Sequence, residues 1–417
     1  MILSDVATIY DCPHSTAPDE GEGYPLIRTP NIGKGRLILD DVHRVSKEVY
    51  DIRNKRAIPQ ENDIIFAREA PAGNAALITK GQKVCLGQRT VLIRPKQDLV
   101  DPHYLVYYLL APQQQIKLLG FSHGATVGHV NIPDITKLSI TLPSLTIQKS
   151  IARIVEHYDN LTEVNNKRIK VLEQMAENLY KEWFVRFRFP GHESVGYENS
   201  EMGKTPLSFS IVKMQDVFEY YIGGGWGNDD ESDDFPVAAY VIRGTDFPRV
   251  ARGDVSTCPL RYHKKSNYAS RELKPDDIIL EVSGGTAEQP VGRTLLVTKD
   301  VLERLGGKVI CASFCKQIRV NATAVSPYFF YYWVKFLYDT RIIDRFQLQS
   351  TGIINFQFEF FARKGEILLP PKEIMDEFDS SVRLLHKEIS AMAMQNENLV
   401  KQRDLLLPRL MSGKLEV

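Results

Sequence analysis

The chain has 417 residues and no net charge at pH 7, with 43% hydrophobic and 25% charged residues, values typical of a globular protein. A chain of this length exceeds what a single hydrophobic core usually supports, so we expect two or more domains. It contains no apolar run near the roughly 18 residues of a membrane-spanning helix. The first ten residues lack the basic start and long apolar core of a signal peptide, so the sequence predicts a cytoplasmic protein without a membrane partner.

The cysteines predict neither a disulfide framework nor a metal site. Five of them are scattered along the chain, at positions 12, 85, 258, 311 and 315. An odd, scattered set fits reduced thiols better than disulfides. Cys311 and Cys315 lie close together, but no second Cys or His pair stands at the spacing of zinc ligands, so we predict buried thiols.

The chain repeats itself. Segments of the first half recur in the same order in the second half, 214 to 227 residues later, as expected when the second copy carries short loop insertions. The matched segments are 27–32 with 242–247, 62–66 with 276–280, 102–108 with 327–333, 128–131 with 352–355, and 142–143 with 369–370. The sequence therefore indicates a tandem duplication.

Each half begins with a mixed region of strands and short helices. Apolar runs at 63–66, 91–93 and 294–297 predict strands, because glycine and proline punctuate the chain between them. Asp101-Pro102 and Ser326-Pro327 predict helix starts, since Asp and Ser cap a helix and proline fits its first turn.

A long helix closes each half. Residues 148–185 contain no glycine or proline, and a row of residues recurs at intervals of seven in both copies. This row contains Ile151, Tyr158, Asn165, Leu172 and Leu179 in the first copy and Phe378, Leu385, Met392, Leu399 and Leu406 in the second. A strict interval of seven predicts that the two helices pair as a left-handed coiled coil, each about 57 Å long at about 1.5 Å per residue.

The seam of that coiled coil is imperfect. Its second row, placed at Ile154, Leu161, Arg168 and Met175 and then at Ser381, Glu388 and Gln402, mixes apolar and polar residues. Asn165 in the first row is polar, and such a residue can fix the register at some cost in stability. The alternative is two amphipathic helices, each packed on its own domain.

Four stretches carry a family resemblance: residues 142–152, 172–185, 200–217 and 397–413. They include the runs LPSL (142–145), WFV (183–185) and LMSG (410–413), and Phe209 stands near the place where a tryptophan is common in the family. These stretches resemble the specificity subunit of type I restriction-modification systems. The resemblance covers the whole chain, and its helical segments are the specific part.

The resemblance implies an α+β fold. Two duplicated mixed α/β target-recognition domains, at 1–145 and 191–371, would be joined and separated by two long antiparallel coiled-coil helices, at 146–190 and 372–417. It implies a subunit without catalysis, in which each domain reads one half of a bipartite double-stranded DNA site. The helices would dock two DNA adenine methyltransferase subunits, and restriction subunits would join them. S-adenosylmethionine, ATP and magnesium would bind only those partners, so we expect no cofactor or metal on this chain.

The residues agree with a subunit that is not an enzyme. An adenine methyltransferase needs Asn or Asp before Pro-Pro, but Leu369 precedes the one Pro-Pro of this chain. A metal-dependent nuclease needs a lysine two residues after its second carboxylate, and Ser283 stands there. A phosphate loop needs glycine at the position of Glu198. The alternative to DNA recognition is a duplicated coiled-coil protein-interaction scaffold, which the zero net charge fits.

Clustered cations and base-reading side chains supply the candidate DNA contacts. The basic candidates, which suit phosphate contacts, are Arg53, Lys55, Arg56, Lys264, Lys265 and Arg271. The further candidates are Arg28, Asn31, Arg68, Gln88, Arg89, Thr126, His129, Asn131, Arg243, Asp246, Ser350 and Asn355. Two domains that read different half-sites must differ where they contact bases. Residues matched across the repeat, such as Arg28 and Arg243, therefore have a structural role as their open alternative.

Overall fold

The structure is a computed structural model that describes residues 1–40, 42–120, 129–201, 203–286, 289–350, 353–415 and 417. Of the predicted DNA contacts, Thr126 and the side chain of Ser350 lie outside the described part. The chain divides into unit 1, Met1–Thr162 with Glu397–Val417, and unit 2, Glu163–Asn396. Because this division falls inside both long helices, the four domain ranges that the sequence suggests stay predictions.

Unit 1 contains two sheets covered by short helices and by parts of both long helices. Its elements are α1 (Leu3–Val6), β1 (Ala7–Asp11), β2 (Tyr24–Ile27), β3 (Gly35–Arg36), β4 (Arg44–Val45), α2 (Lys47–Arg53), β5 (Ile64–Ala67), β6 (Ala75–Leu77), β7 (Cys85–Leu86), β8 (Thr90–Pro95), α3 (Pro102–Leu110), α4 (Pro112–Gly120), α5 (Ile132–Thr136) and the start of α6 (Leu145–Tyr180). The strand orders are β1-β8-β5-β6-β3 and β4-β2-β7.

Unit 2 repeats this plan with added hairpins. After α6 and a π-helical turn (Lys181–Val185), its elements are β9 (Tyr197–Ser200), β10 (Gly203–Pro206), β11 (Ser210–Lys213), α7 (Met214–Val217), β12 (Phe218–Gly223), β13 (Val237–Ile242), α8 (Phe247–Val250), β14 (Leu260–His263), α9 (Lys265–Arg271), β15 (Ile278–Glu281), β16 (Ser283–Gly285), β17 (Thr294–Leu296), α10 (Lys299–Arg304), β18 (Val309–Cys311), β19 (Cys315–Val320), α11 (Pro327–Asp339), β20 (Gln347–Ser350), β21 (Ile353–Phe356), α12 (Phe358–Lys364), β22 (Glu366–Leu369) and α13 (Lys372–Met411). Short 3-10 turns cover Thr29–Asn31, Gly244–Asp246, His192–Ser194 and Ile342–Phe346.

The two units share one topology. The sheet order β12-β19-β15-β17 in unit 2 matches β1-β8-β5-β6 in unit 1, and β14-β13-β18 matches β4-β2-β7. In both three-stranded sheets the middle strand pairs antiparallel with one neighbour and parallel with the other. This correspondence agrees with the duplication inferred from the sequence, and the α+β fold is confirmed.

Local signals place the helices next to these sheets as the sequence predicts. Asp101 caps α3 by accepting a 2.9 Å hydrogen bond from the backbone N–H of Tyr104. Ser326 caps α11 in the same way, through the N–H of Phe329 at 3.2 Å. Each cap satisfies a donor that the first helical turn leaves free. The three predicted strands overlap β5, β8 and β17, with bounds that differ by at most one residue at an end for β5 and β17.

The long helices pair within each unit, but the second row of the seam differs from the prediction. In the predicted first row Ile151, Asn165 and Phe378 are buried, and the other seven residues are half-buried. The predicted second row is wrong, because Leu161 and Met175 are 47% and 50% exposed. The buried second row lies one residue further along and contains Val155, Ile169 and Ala176 of α6 and Val382 and Ile389 of α13.

The two interpretations of the long helices are both realised. In unit 1, Val155 of α6 and Leu407 of α13 share a hydrophobic cluster with Tyr104 of α3. In unit 2, Ala176 and Val382 share a cluster with Phe329 of α11. Each unit therefore has a paired segment of α6 and α13 that also packs on that unit's own recognition region.

Among the described helices, none is both long and apolar enough to span a bilayer. All five cysteines are buried and unpaired, as the sequence predicts.

Candidate nucleic-acid interface

One end of the large sheet in unit 1 gathers several predicted contacts. Asp11 ends β1 and pairs with Val91, while Ala67 ends β5 and pairs with Thr90 of the same central strand. Because neighbouring strands run antiparallel, the residue that follows β5 and the residue that precedes β8 meet at the same end of the sheet. Arg68 and Arg89 are those residues, and the backbone N–H of Arg68 donates to the carbonyl of Arg89 at 3.0 Å.

Four side chains at this edge form a connected group, which we call the unit 1 quartet: Arg68, Glu69, Arg89 and His129. The guanidinium of Arg68 lies 2.9 Å from Nε2 of His129. The two carboxylate oxygens of Glu69 lie 2.6 Å from Nδ1 of His129 and 3.0 Å from Nε of Arg89. Because a guanidinium only donates, Nε2 of His129 accepts and its proton is assigned to Nδ1, which donates to Glu69.

The quartet is buried at its base and open at its tip. The side chains of Arg68 and Glu69 are 11% and 20% exposed, whereas that of Arg89 is 58% exposed. Arg68 is also held by its Nε, which donates to the carbonyl of Val130 at 3.0 Å. Arg89 is thus an oriented cation that faces solvent.

Asp11 collects further cations beside the quartet. Nη1 of Arg56 lies 3.4 Å and Nη1 of Arg68 3.7 Å from its carboxylate oxygens. Asp11, Cys12 and His14 also bring one potential metal-ligand atom each within 4.8 Å of one another. The positively charged guanidiniums of Arg56 and Arg68 lie beside the Asp11 carboxylate and would repel a metal ion bound there.

Unit 2 repeats, at the equivalent sheet end, the backbone hydrogen bonds that position the unit 1 quartet. We call this shared set of backbone bonds the frame. The N–H of Val282 donates to the carbonyl of Phe314 at 2.8 Å, as Arg68 donates to Arg89. The N–H of Phe356 donates to the carbonyl of Val282 at 2.9 Å, and the N–H of Val130 donates to that of Arg68 at 3.0 Å. These shared bonds make Val282 the counterpart of Arg68 and Phe314 the counterpart of Arg89.

The side chains on this shared frame differ in kind. We call Val282, Ser283, Phe314 and Asn355 the unit 2 quartet, since they stand at the positions of Arg68, Glu69, Arg89 and His129. Ser283 donates to Oδ1 of Asn355 at 2.7 Å, in place of the charged pair. Phe314 is 66% exposed. Unit 1 therefore presents a charged group where unit 2 presents an aromatic ring and neutral polar groups.

The frame also corrects one sequence match. The repeat in the sequence pairs Asn131 with Asn355, but the backbone bonds of Val130 and Phe356 pair Asn355 with His129. Asn131 is instead exposed and its side-chain amide donates to Asp134 at 3.3 Å.

Residues that the repeat keeps make internal hydrogen bonds, as a structural role predicts, and their contact with DNA stays a prediction. Asn31 accepts from the backbone N–H of Arg28 at 3.1 Å, and Asp246 accepts from that of Arg243 at 2.9 Å. Asp246 also accepts two 2.9 Å bonds from the guanidinium of Arg243. Burial opposes ionisation of Asp246, yet the bonds from Arg243 and Thr257 bring its pKa below the ordinary value.

Arg53 does not fit its predicted phosphate contact. Its side chain is buried, and Nε and Nη1 donate to the carbonyls of Leu86 and Ser15 at 2.8 and 3.0 Å. Burial lowers the pKa of its guanidinium. Arg271, at the equivalent end of α9, donates to the carbonyl of Gly223 at 2.9 Å. Both arginines therefore tie the end of a short helix to its sheet.

The other predicted contacts lie on the surface or near it. Lys55, Arg56, Lys264 and Lys265 are exposed, and half-buried Gln88 accepts a 3.1 Å hydrogen bond from Thr16. Their role in DNA contact stays a prediction. The sequence analysis missed Glu69, Val282, Ser283 and Phe314. The repeat contained the signal for three of them: Val282 stands five residues after Asp277, as Arg68 stands five after the matched Asp63. Ser283 and Glu69 follow one residue later in each copy.

Comparison with known proteins shows what the chain is similar to. Residues 1–174 match the family model described as "Type I restriction modification DNA specificity domain". Up to residue 174 the chain is therefore similar to the DNA specificity domains of type I restriction-modification systems.

Relatives extend along nearly the whole chain. The specificity subunit of the type I restriction enzyme MjaVIII from Methanocaldococcus jannaschii is 24% identical over 404 residues, covering 96% of this chain and 88% of that protein. That of HindI from Haemophilus influenzae is 22% identical, covering 87% and 88%. The crystal structure of the type I S subunit from M. genitalium shares the fold, with a TM-score of 0.52, 13% identity, and coverage of 98% and 95%.

Proposed function

We propose that this chain is the DNA-recognition subunit of a type I restriction-modification complex and reads a bipartite double-stranded site, one unit to each half. The observation that carries the proposal is the shared backbone frame with different side chains. Val282 and Phe314 make the backbone bond that Arg68 and Arg89 make, but present other chemistry to solvent. A duplicated reader of two different half-sites needs that combination.

Two kinds of contact follow from the surface chemistry. Exposed cations such as Lys55 and Lys264 suit phosphate oxygens, which give affinity without sequence information. Side chains at the sheet ends suit base edges in the major groove, where donors, acceptors and methyl groups distinguish all four base pairs.

The chemistry of methylation belongs to partners in this proposal. Two adenine methyltransferase subunits dock on the chain, and restriction subunits join them in the cytoplasm. S-adenosylmethionine, ATP and magnesium bind those partners alone. An adenine must leave the base stack before its amino group reacts, so the recognition subunit has to position the methyltransferase over one base in each half-site.

Salt dependence separates this proposal from a protein-interaction scaffold without DNA recognition. The complex of this chain with its methyltransferase is titrated against a fluorescent duplex at several salt concentrations. DNA recognition predicts binding that weakens steeply with salt, with a slope of about −0.9 in log K against log salt per phosphate contact. Absent or salt-insensitive binding by the intact complex would support the scaffold instead.

Matched lysine variants locate the phosphate contacts. Lys55→Ala and Lys264→Ala are each expected to make the salt slope less steep by about one. Lys80→Ala is the control, because Lys80 is exposed but follows β6 at the opposite sheet end from Arg68. A related system, in which one partner both methylates and cleaves DNA, would give the same binding curve. Purification of the chain with its partners distinguishes the two systems, because it shows whether methylation and cleavage belong to one partner or to two.

A further inference from the structure

We infer that the two quartets determine which bases the two units select, with Arg89 reading a guanine and Phe314 reading a thymine. This inference rests on the proposed function and assigns its specificity to named residues. It starts from the equivalent backbone positions of Arg89 and Phe314, which are the most exposed members of their quartets.

Arg89 has the chemistry and the orientation for a guanine. A guanidinium fork matches the O6 and N7 acceptors of guanine, the commonest specific contact in the major groove. Glu69 holds Nε of Arg89 at 3.0 Å and is itself held by His129 at 2.6 Å. This support restricts the rotamers of Arg89 before DNA arrives, which lowers the entropy lost on binding. Glu69 is thus a positioning residue for Arg89.

Phe314 has the chemistry for a thymine. An apolar side chain discriminates thymine through contact with its C5-methyl group. The ring is 66% exposed, so it gains little from burial in the isolated chain. Arg271 and Lys316 place cations at the same sheet end, since Arg271 bonds the carbonyl of Gly223, which pairs with Lys316. Lys316 is itself 19% exposed and paired with Glu359 at 2.9 Å, so the exposed ring of Phe314, rather than a free cation, is what this sheet end offers to a base.

The frame allows this divergence at little cost in stability. The bonds that position the quartets are made by backbone N–H and carbonyl groups, which every residue except proline supplies. Buried residues of the sheet, such as Ile64 and its counterpart Ile278, keep an apolar core under both frames. Exchange of the exposed residues therefore leaves the scaffold intact and alters only the surface offered to DNA.

The test is adenine-methylation mapping by single-molecule sequencing in cells that express the chain with its methyltransferase subunit. For the wild type, the proposed function predicts a split motif. For Arg89→Ala, one guanine position in one half-site is expected to lose selectivity by roughly 5- to 150-fold. For Phe314→Ala, one thymine position in the other half-site is expected to relax. Glu69→Gln is expected to relax the Arg89 position to a smaller extent.

Matched controls exclude general effects of removing exposed residues. Arg186 is 59% exposed and paired with Glu182, as Arg89 is 58% exposed and paired with Glu69. Phe360 is a 47% exposed phenylalanine of unit 2 outside the quartet. Arg186→Ala and Phe360→Ala should leave every position of the motif unchanged.

A second pair of variants keeps the test decisive if an alanine variant does not fold. Arg89→Lys retains the charge without the fork, and Phe314→Gln retains much of the side-chain volume without the apolar ring. Both are expected to relax the same positions as the alanine variants, with complexes whose melting temperature matches the wild type. A motif unchanged at every position, or selectivity weakened equally in both halves, would overturn the assignment. A wild-type complex without a split motif would instead overturn the proposed function.

Discussion

Arg403 of α13 donates to Asp159 of α6 at 2.6 Å, and the two side chains are only 12% and 7% exposed. Tyr107 of α3 donates to the other oxygen of the same carboxylate at 2.5 Å. In unit 2 the repeat keeps the tyrosine as Tyr332 but replaces Asp159 with His386, whose Nε2 lies 2.9 Å from the Tyr332 hydroxyl. The paired helices are thus tied to their recognition region by an ionic group in one unit and a neutral pair in the other.

Unit 2 also has a cavity beside its Tyr332–His386 pair. Arg403 corresponds in the repeat to Ala176, and unit 2 contains a cavity of about 250 Å³ lined by Tyr332, His386 and Lys335, among others.

Removal of Arg403 is expected to destabilise unit 1. Arg403→Met leaves the buried carboxylate of Asp159 without its counter-charge, and loss of one partner of a buried ion pair costs about 3 kcal/mol. Chemical denaturation followed by far-ultraviolet circular dichroism, which records the helices and strands of both units, measures the change. The double variant with Asp159→Asn should recover most of the loss, because no unpaired charge then remains. Arg409→Met, at an exposed arginine of the same helix, is the control. Equal stability of R403M and wild type would contradict the ionic tie.

Unit 2 is expected to lose stability in mild acid through His386. Burial, assisted by the charge of Arg383, lowers the pKa of His386 to about 4. The unfolded chain binds this proton at about pH 6.5, so it holds more protons than the folded chain between pH 6.5 and 4. Stability is therefore complete above this window and falls by about 3 kcal/mol as pH drops through it. Melting temperatures measured across this pH window should depend less on pH in His386→Gln than in the wild type. His157→Gln, at an exposed histidine, should show the same pH dependence as the wild type.

Asn165 is expected to cost stability in the seam. Its amide donates to Gln395 and Asn396 at 2.9 Å each, at a position where the coiled coil otherwise buries apolar residues. Asn165→Leu is expected to increase the free energy of unfolding by about 1 kcal/mol and so to raise the melting temperature. The loss of the Asn165 amide costs little, because Asn396 still bonds Asn166 at 2.9 Å. Asn398→Leu, on the exposed face of α13, should change it little. A lower melting temperature for N165L would mean that the amide network stabilises the pairing.

The thiols are expected to resist alkylation while the chain is folded. Burial raises the pKa of Cys85 to about 11 and those of Cys258 and Cys311 to about 12, so few thiolates exist at pH 8. Mass spectrometry after brief iodoacetamide treatment should find these residues unmodified in native protein and modified in guanidinium. Rapid modification of the native chain would contradict the buried positions.

The fold was predictable where one local pattern decides the outcome. The caps at Asp101 and Ser326 and the apolar strands follow from residue type and spacing alone. The second seam row did not, because Ile154 and Val155 are adjacent and both apolar. Ile154 stands three residues and Val155 four residues after Ile151, and both spacings place a residue on the same helix face as Ile151. Only the packing of α6 on its partners selects Val155.

The candidate site was predictable only in part. Positive charge marked Arg89, but it also marked Arg53, whose backbone-carbonyl partners come from distant segments that sequence does not place. Phe314 had no signal as a single residue, since exposed and buried phenylalanines look alike in sequence. Its position became visible when the backbone bond to Val282 matched that of Arg68 with Arg89.

The proposed function requires that two duplicated units read two different half-sites. The most direct measurement is a genome-wide map of adenine methylation for the wild-type chain expressed with its methyltransferase. We predict a motif with two short, different specified halves, a fixed unspecified spacer and one methylated adenine in each half. A single uninterrupted motif, or no methylation by a stable complex with an active methyltransferase, would contradict the claim.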